Sequence, residues 1–220
     1  MNRVKNTAGN PLPFPLCRRY WLVVIVEASM SALESERVRD HVLHLGFGAL
    51  PGGQQEILGA WPDPDSQVTV WQTIANDLKV RGVERIRFVG GSDPASIQAA
   101  MRTSYPGVTV LPALAELLHQ REGGLPATLE QLESRFAWPP RQSRILRNAV
   151  DAANQWSRHL NRAVARHGCF SCPAAVTSFV VDRLTRAERD LGDFGIDAFP
   201  GPARAVTRTI RRSSIAAPGV

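Results

Sequence analysis

Lysine is nearly missing from this 220-residue chain: of its 26 basic residues all but two, Lys5 and Lys79, are arginine. The planar guanidinium suits phosphate, although GC-rich coding produces the same skew. Cysteine is scarce too, and three residues (Cys17, Cys169 and Cys172) do not build a secreted disulfide framework. No long apolar run exists. The most hydrophobic stretch, Tyr20 to Val26, stops at Glu27 and falls far short of the roughly 20 residues of a membrane helix. Its brevity, with no small-residue cleavage site after it, also argues against a signal peptide. What remains is 44% hydrophobic residues in a chain long enough to bury roughly 70% of its unfolded surface. Collagen, coiled coil and wholesale disorder are excluded, and the expectation is a soluble cytoplasmic protein with no membrane partner.

Charge of one sign is concentrated. Residues 1–140 hold 13 basic and 14 acidic side chains, a net −1, whereas 141–220 hold 13 and 6, a net +7. A basic C-terminal third calls for an acidic partner, most economically nucleic acid.

The expected organisation is an irregular arm over 1–19, a core over 20–192 and a flexible basic tail over 193–220. Trp21-Leu-Val-Val-Ile-Val26 is apolar on both faces, as in a central strand, so a first strand is expected at Tyr20–Ser29. His41–Ala49 and Gln54–Ala60, linked by Pro51-Gly-Gly53, complete a meander. Ser66 is a plausible cap for a helix with Val70, Trp71, Ile74 and Leu78 on one face, ending at Arg81-Gly82. Then come a strand at Arg85–Val89, a helix at Ala95–Ser104 and a strand at Val108–Leu111. Helices are expected at Ala113–Gln120, Leu125–Arg135, Arg141–Arg166 and about Pro173–Leu191. This order gives an α/β fold of ribonuclease H-like type, with a short helical insertion near 112–140.

Enzymes of that architecture usually carry carboxylates on the first strand, just past the fourth, and on a late helix. Together these hold two divalent ions that activate water and stabilise the leaving oxygen. Glu27, Asp93 and Asp151 fall at or near those places. Each also has a plain structural role open to it. Glu27 stands where the strand emerges into solvent, Asp93 can cap the helix that Pro94 begins, and Asp151 can pair with Arg147 one turn earlier.

Gln55-Glu-Ile-Leu-Gly-Ala-Trp61, Trp71 and Asp77-Leu-Lys-Val-Arg-Gly-Val83 resemble a run found in Mutator-type transposases of bacterial insertion sequences. Ala100-Met-Arg-Thr-Ser-Tyr-Pro106 is similar to that family's Ala-Ile-x-x-x-Phe-Pro. Arg147-Asn-Ala-Val-Asp-Ala-Ala-Asn154 resembles its Thr-Asn-Ala-Ile-Glu-x-x-Asn, whose Glu completes a catalytic acidic triad. The resemblance implies metal-dependent cleavage and transfer of DNA strands, with Mg²⁺ or Mn²⁺ on Glu27, Asp93 and Asp151, and a homo-oligomer as a further partner. The chain departs from the pattern in definite places. Glu27 stands for an Asp, Asp151 for a Glu, and an ungapped alignment sets Ser92, not Asp93, at the second acid. Leu111-Pro-Ala-Leu-Ala-Glu116 replaces a Gln-x-Cys-x-x-His motif. The alternative function is therefore a non-catalytic DNA-binding or interaction remnant of a transposase.

Arg158, Arg162 and Arg166 recur at helical spacing and, with Arg147, form either a stripe that follows a DNA backbone or a solvated face. His167-Gly-Cys169-Phe-Ser-Cys172 offers three zinc ligands or a redox pair. Equally, Gly168 can end a helix and Phe170 anchor the link in the core. Gly90-Gly91-Ser92 matches no nucleotide-binding fingerprint.

Overall fold

A computed structural model describes residues 16–34, 36–63, 70–119 and 125–190. The expected arm up to residue 15, the Ser66 cap, the end of the helix at Gln120 and the tail from 191 lie outside the described residues. Within them the protein is α/β. Strands β1 (Arg19–Glu34), β2 (Arg37–Ala49) and β3 (Gln55–Pro62) precede helix α1 (Val70–Val80). Strand β4 (Arg85–Gly90), helix α2 (Pro94–Ser104) and strand β5 (Thr109–Val110) follow. Helices α3 (Ala113–His119), α4 (Leu125–Phe136), α5 (Pro140–His167) and α6 (Pro173–Asp190) complete the order. The five strands form one mixed sheet in the order β3-β2-β1-β4-β5, antiparallel across β1–β2 and β2–β3, parallel across β1–β4 and β4–β5.

The double-sided apolar run makes β1 the sheet's centre. From Leu22 onward its residues alternate between two cores. Leu22, Val24, Val26 and Ala28 pack with α3 to α6, whereas Val23 and Ile25 pack with α1 and α2. Tyr20 to Val26 are all buried, and from Glu27 only the α5 side remains covered, through Ala28, Met30 and Ala32. β1 runs five residues beyond the expected Ser29 because its outer edge finds a partner there. The amide of Phe170, in the link between α5 and α6, donates to Ser31 O (2.9 Å), and the amide of Leu33 donates to Phe170 O (2.9 Å). Phe170 is the buried anchor the sequence suggested, and Gly168, at φ 78°, ends α5.

The motif blocks of the first half hold one another. Trp61 Nε1 donates to Asp77 Oδ2 (3.1 Å), Asp77 pairs with Arg81 (3.5 Å), and Arg81 donates to the carbonyl of Leu58. α1 is thereby clamped onto β3. Glu56 accepts from the Tyr20 hydroxyl (2.6 Å) and the Cys17 thiol (3.0 Å), tying the start of the chain to the same strand. Burial, then the Glu56 carboxylate, pushes the Cys17 thiol up to about 12.

Glycines on β2 make room for this cluster. A Cβ at Gly48 would lie 2.5 Å from the Tyr20 ring and 2.9 Å from Leu58 Cδ2, and one at Gly46 2.7 Å from the Trp61 ring. Tyr20 cannot swing aside without breaking its bond to Glu56. Gly48→Ala is therefore expected to destabilise the fold by about 1–3 kcal/mol, the usual range for overpacking, as read by urea unfolding. An unchanged midpoint would show that the ring yields freely.

Candidate functional site

Strand register decides where the first carboxylate points. Glu27 pairs with His44 of β2, and His44 pairs with Trp61 of β3, so the three side chains form a row on the sheet face that carries α1 and α2. Trp61 and His44 lie beneath α1, and Glu27 lies at the rim, its side chain 40% exposed. The loop after β4 approaches the same rim very closely. A Cβ on Gly91 would lie 2.9 Å from the Ile25 carbonyl oxygen and 2.9 Å from Ile97 Cδ1, so glycine is what lets the loop lie against β1. The result is a direct hydrogen bond in which Ser92 Oγ donates to Glu27 Oε1.

Asp93 is turned the other way. Its carboxylate accepts from the Ser96 amide (3.1 Å) as the N-cap of α2, with Pro94 opening the helix. Those hydrogen bonds to Ser96 hold its carboxyl below the ordinary range. The capping role that the sequence allowed is the one seen.

Asp151 sits in the other layer. α5 covers the opposite face of the sheet through Leu146, Ala149, Val150, Ala153, Leu160 and Val164. At about 100° per residue, Asp151 falls on the side of α5 diametrically away from that apolar face, and it is exposed. It shares the outward side with Arg158, Arg162 and, toward the edge, Arg166, all exposed. Arg147 does not pair with Asp151. Its guanidinium binds Glu133 of α4 at 2.7 Å, and Asn154 donates to the Leu117 carbonyl of α3 (3.4 Å).

The structure thus brings Glu27 and Ser92 together, sets Asp93 beside them but facing its own helix, and leaves Asp151 on the far side of the sheet. Among the described residues no three His, Cys, Asp or Glu side chains stand together as ligands for one metal ion, and His167, Cys169 and Cys172 are no exception. His167 stacks on Phe170 (centroids 4.0 Å apart), and both thiols are exposed and free. As placed, Glu27, Asp93 and Asp151 do not fit a pair of bridged Mg²⁺ or Mn²⁺ ions, which need oxygen ligands converging on one point.

His44 carries no motif in the sequence. It is 3% exposed, neither ring nitrogen has a hydrogen-bond partner, and Nδ1 lies 3.8 Å from Glu27 Oε1. Burial keeps its pKa below the ordinary histidine value, against the upward pull of Glu27 and Asp63. The available signal was a polar residue inside the apolar run Leu43-His44-Leu45.

A family model described as "Transposase, Mutator family" matches residues 14–116. The match runs from before β1 into α3. It takes in Glu27, Ser92, Asp93 and the motif blocks around Trp61 and Asp77, and it ends before α5. No curated protein matches the chain.

The capping role of Asp93 is open to direct measurement. Asp93→Ala should cost about 1 kcal/mol, the usual value of a lost N-cap, while Asp93→Asn should cost far less because the amide oxygen still accepts from Ser96. Equal losses in chemical denaturation would contradict the cap.

Proposed function

From the match of residues 14–116 to the Mutator-family transposase model, we propose a transposase-derived DNA-binding core that holds duplex DNA on α5 and does not cut it. Strand order β3-β2-β1-β4-β5, with β2 alone running against the rest, supports reading the fold as ribonuclease H-like. The observation that carries the functional reading is the Glu27–Ser92 hydrogen bond. Midway along β1 and just past β4, where the resemblance implies two carboxylates bridged by metal ions, a hydroxyl donates to a carboxylate. Two acids there would repel unless a cation lay between them, whereas a serine and a glutamate are stable without one. With Asp93 spent on a helix cap and Asp151 facing outward, strand transfer by this acid set is not part of the proposal.

The arginine face is what remains to meet DNA. Arg158, Arg162 and Arg166 follow one another at four-residue intervals along about 12 Å of α5, and no ion pair engages them among the described residues. Guanidinium groups so arranged contact phosphates and position a duplex without reading its sequence. Arg147 is withdrawn from this set by Glu133.

Duplex binding measured by fluorescence anisotropy across a salt series tests this reading. Arg158→Ala with Arg162→Ala should weaken affinity several-fold and lower the slope of log K against log salt by about 2, one counterion per arginine removed. Affinity and slope equal to the wild type would remove α5 as the DNA face.

A further inference from the structure

The segment His167-Gly-Cys169-Phe-Ser-Cys172 takes no part in holding DNA, yet the fold gives it a defined setting between α5 and α6. Its centre is held from within. Phe170, 1% exposed, is pinned to β1 by two backbone hydrogen bonds, one from its own amide to Ser31 O and one from the Leu33 amide to its carbonyl. The His167 ring stacks on it. With Phe170 turned inward, its neighbours Cys169 and Ser171 face solvent. The chain bends at Cys169, Ser171 and Cys172, and Cys172 O accepts from the Ala175 amide (3.1 Å) as α6 begins. Both thiols are exposed and free. Cys17 is the contrast, because its thiol is half-buried, donates to Glu56 and is pushed up to about 12, which withholds the reactive thiolate.

We propose that Cys169 and Cys172 are a reversible disulfide site, closed by exchange with a low-molecular-weight disulfide of the glutathione class. The thiolate of one cysteine attacks a sulfur of the small disulfide, whose S–S bond breaks and releases one small thiol. The thiolate of the other cysteine then attacks the protein sulfur of the mixed disulfide and expels the second small thiol. Two protons and two electrons leave the cysteines, and the small disulfide takes them up as it becomes two thiols. The surroundings suit this exchange. Exposure admits the reagent, and Arg166, exposed in the last turn of α5 with no ion pair among the described residues, attracts its carboxylates. The bends curl the link around Phe170, so the ring of the disulfide closes while Phe170 keeps its place on β1. A disulfide so exposed and spanning so few residues is of the labile kind, and its work is to fix the link and not to staple the fold.

The full chain equilibrated in oxidised glutathione, alkylated and weighed by mass spectrometry tests the proposal. The expected result is a chain lighter by about 2 mass units before alkylation, with only Cys17 open to the alkylating agent, and return to three free thiols in reduced glutathione. Cys17→Ser should close the same disulfide, whereas Cys169→Ser and Cys172→Ser should each stop at the mixed disulfide, heavier by about 305 mass units. Both substitutions are at exposed positions, so the fold is not at stake. Hydrogen exchange at the Leu33 and Phe170 amides should remain slow in the oxidised chain. Three alkylated thiols in excess oxidised glutathione, a wild type that stops at the mixed disulfide or forms linked dimers, closure that requires Cys17, or rapid exchange at Leu33 and Phe170 after oxidation would each overturn the proposal.

Discussion

Burial of β1 on both faces is the constraint from which the rest of the molecule follows. Seven consecutive buried residues, Tyr20 to Val26, can be satisfied only by strands on either edge and helices on either face. β2 and β4 supply the edges, α1 with α2 and α5 with α6 the faces. The residue at which one of those faces ends is Glu27, and this fixes its place at the rim. Because side chains alternate along a strand, Glu27 shares its face with His44 and Trp61, and no residue of α5 can reach it through the sheet. The separation of Glu27 from Asp151 is thus a consequence of register and layer, set by the same apolar pattern that builds the core.

The motifs that carry the family resemblance make structural contacts in this chain. Glu56 receives Tyr20 and Cys17, Trp61 donates to Asp77, and Arg81 reaches back to the Leu58 carbonyl. These polar groups join β3 to α1 and to the start of β1, and they are half-buried, where an unpaired partner is costly. A chain can therefore keep these motifs, and a match over residues 14–116, while its acidic positions change. These motifs act on the fold, and it is the Glu27–Ser92 bond on which the proposed function rests.

Most of the architecture was legible. The meander, the alternation after Pro62 and the helical second half follow from periodicity, and most element ends moved by only a residue or two. The ends of β1 and β2 moved further because their extension depends on Phe170, a partner some 140 residues away in sequence, which no local pattern announces. The site was less legible. Three acids at suggestive places in the order of elements are a one-dimensional coincidence, and whether they converge depends on which face each side chain takes. For Asp93 the Pro94 that follows it was the better guide, since it marks a helix start that needs a cap. Ser92 was visible as the occupant of the second acidic position, but its bond to Glu27 rests on the close approach that Gly91 permits. His44 carried no motif and became visible only when both ring nitrogens were found buried and unpartnered.

The central proposal is that this core does not assemble a strand-cutting acid triad. Single-turnover nicking of supercoiled plasmid in Mn²⁺, with the wild type and Asp151→Asn side by side, tests it most directly. The account predicts that neither protein nicks above the metal-only background while both retain the same affinity for DNA. Nicking by the wild type that vanishes in Asp151→Asn would contradict it, since an outward-facing Asp151 would then have to reach the Glu27 rim in the DNA-bound state.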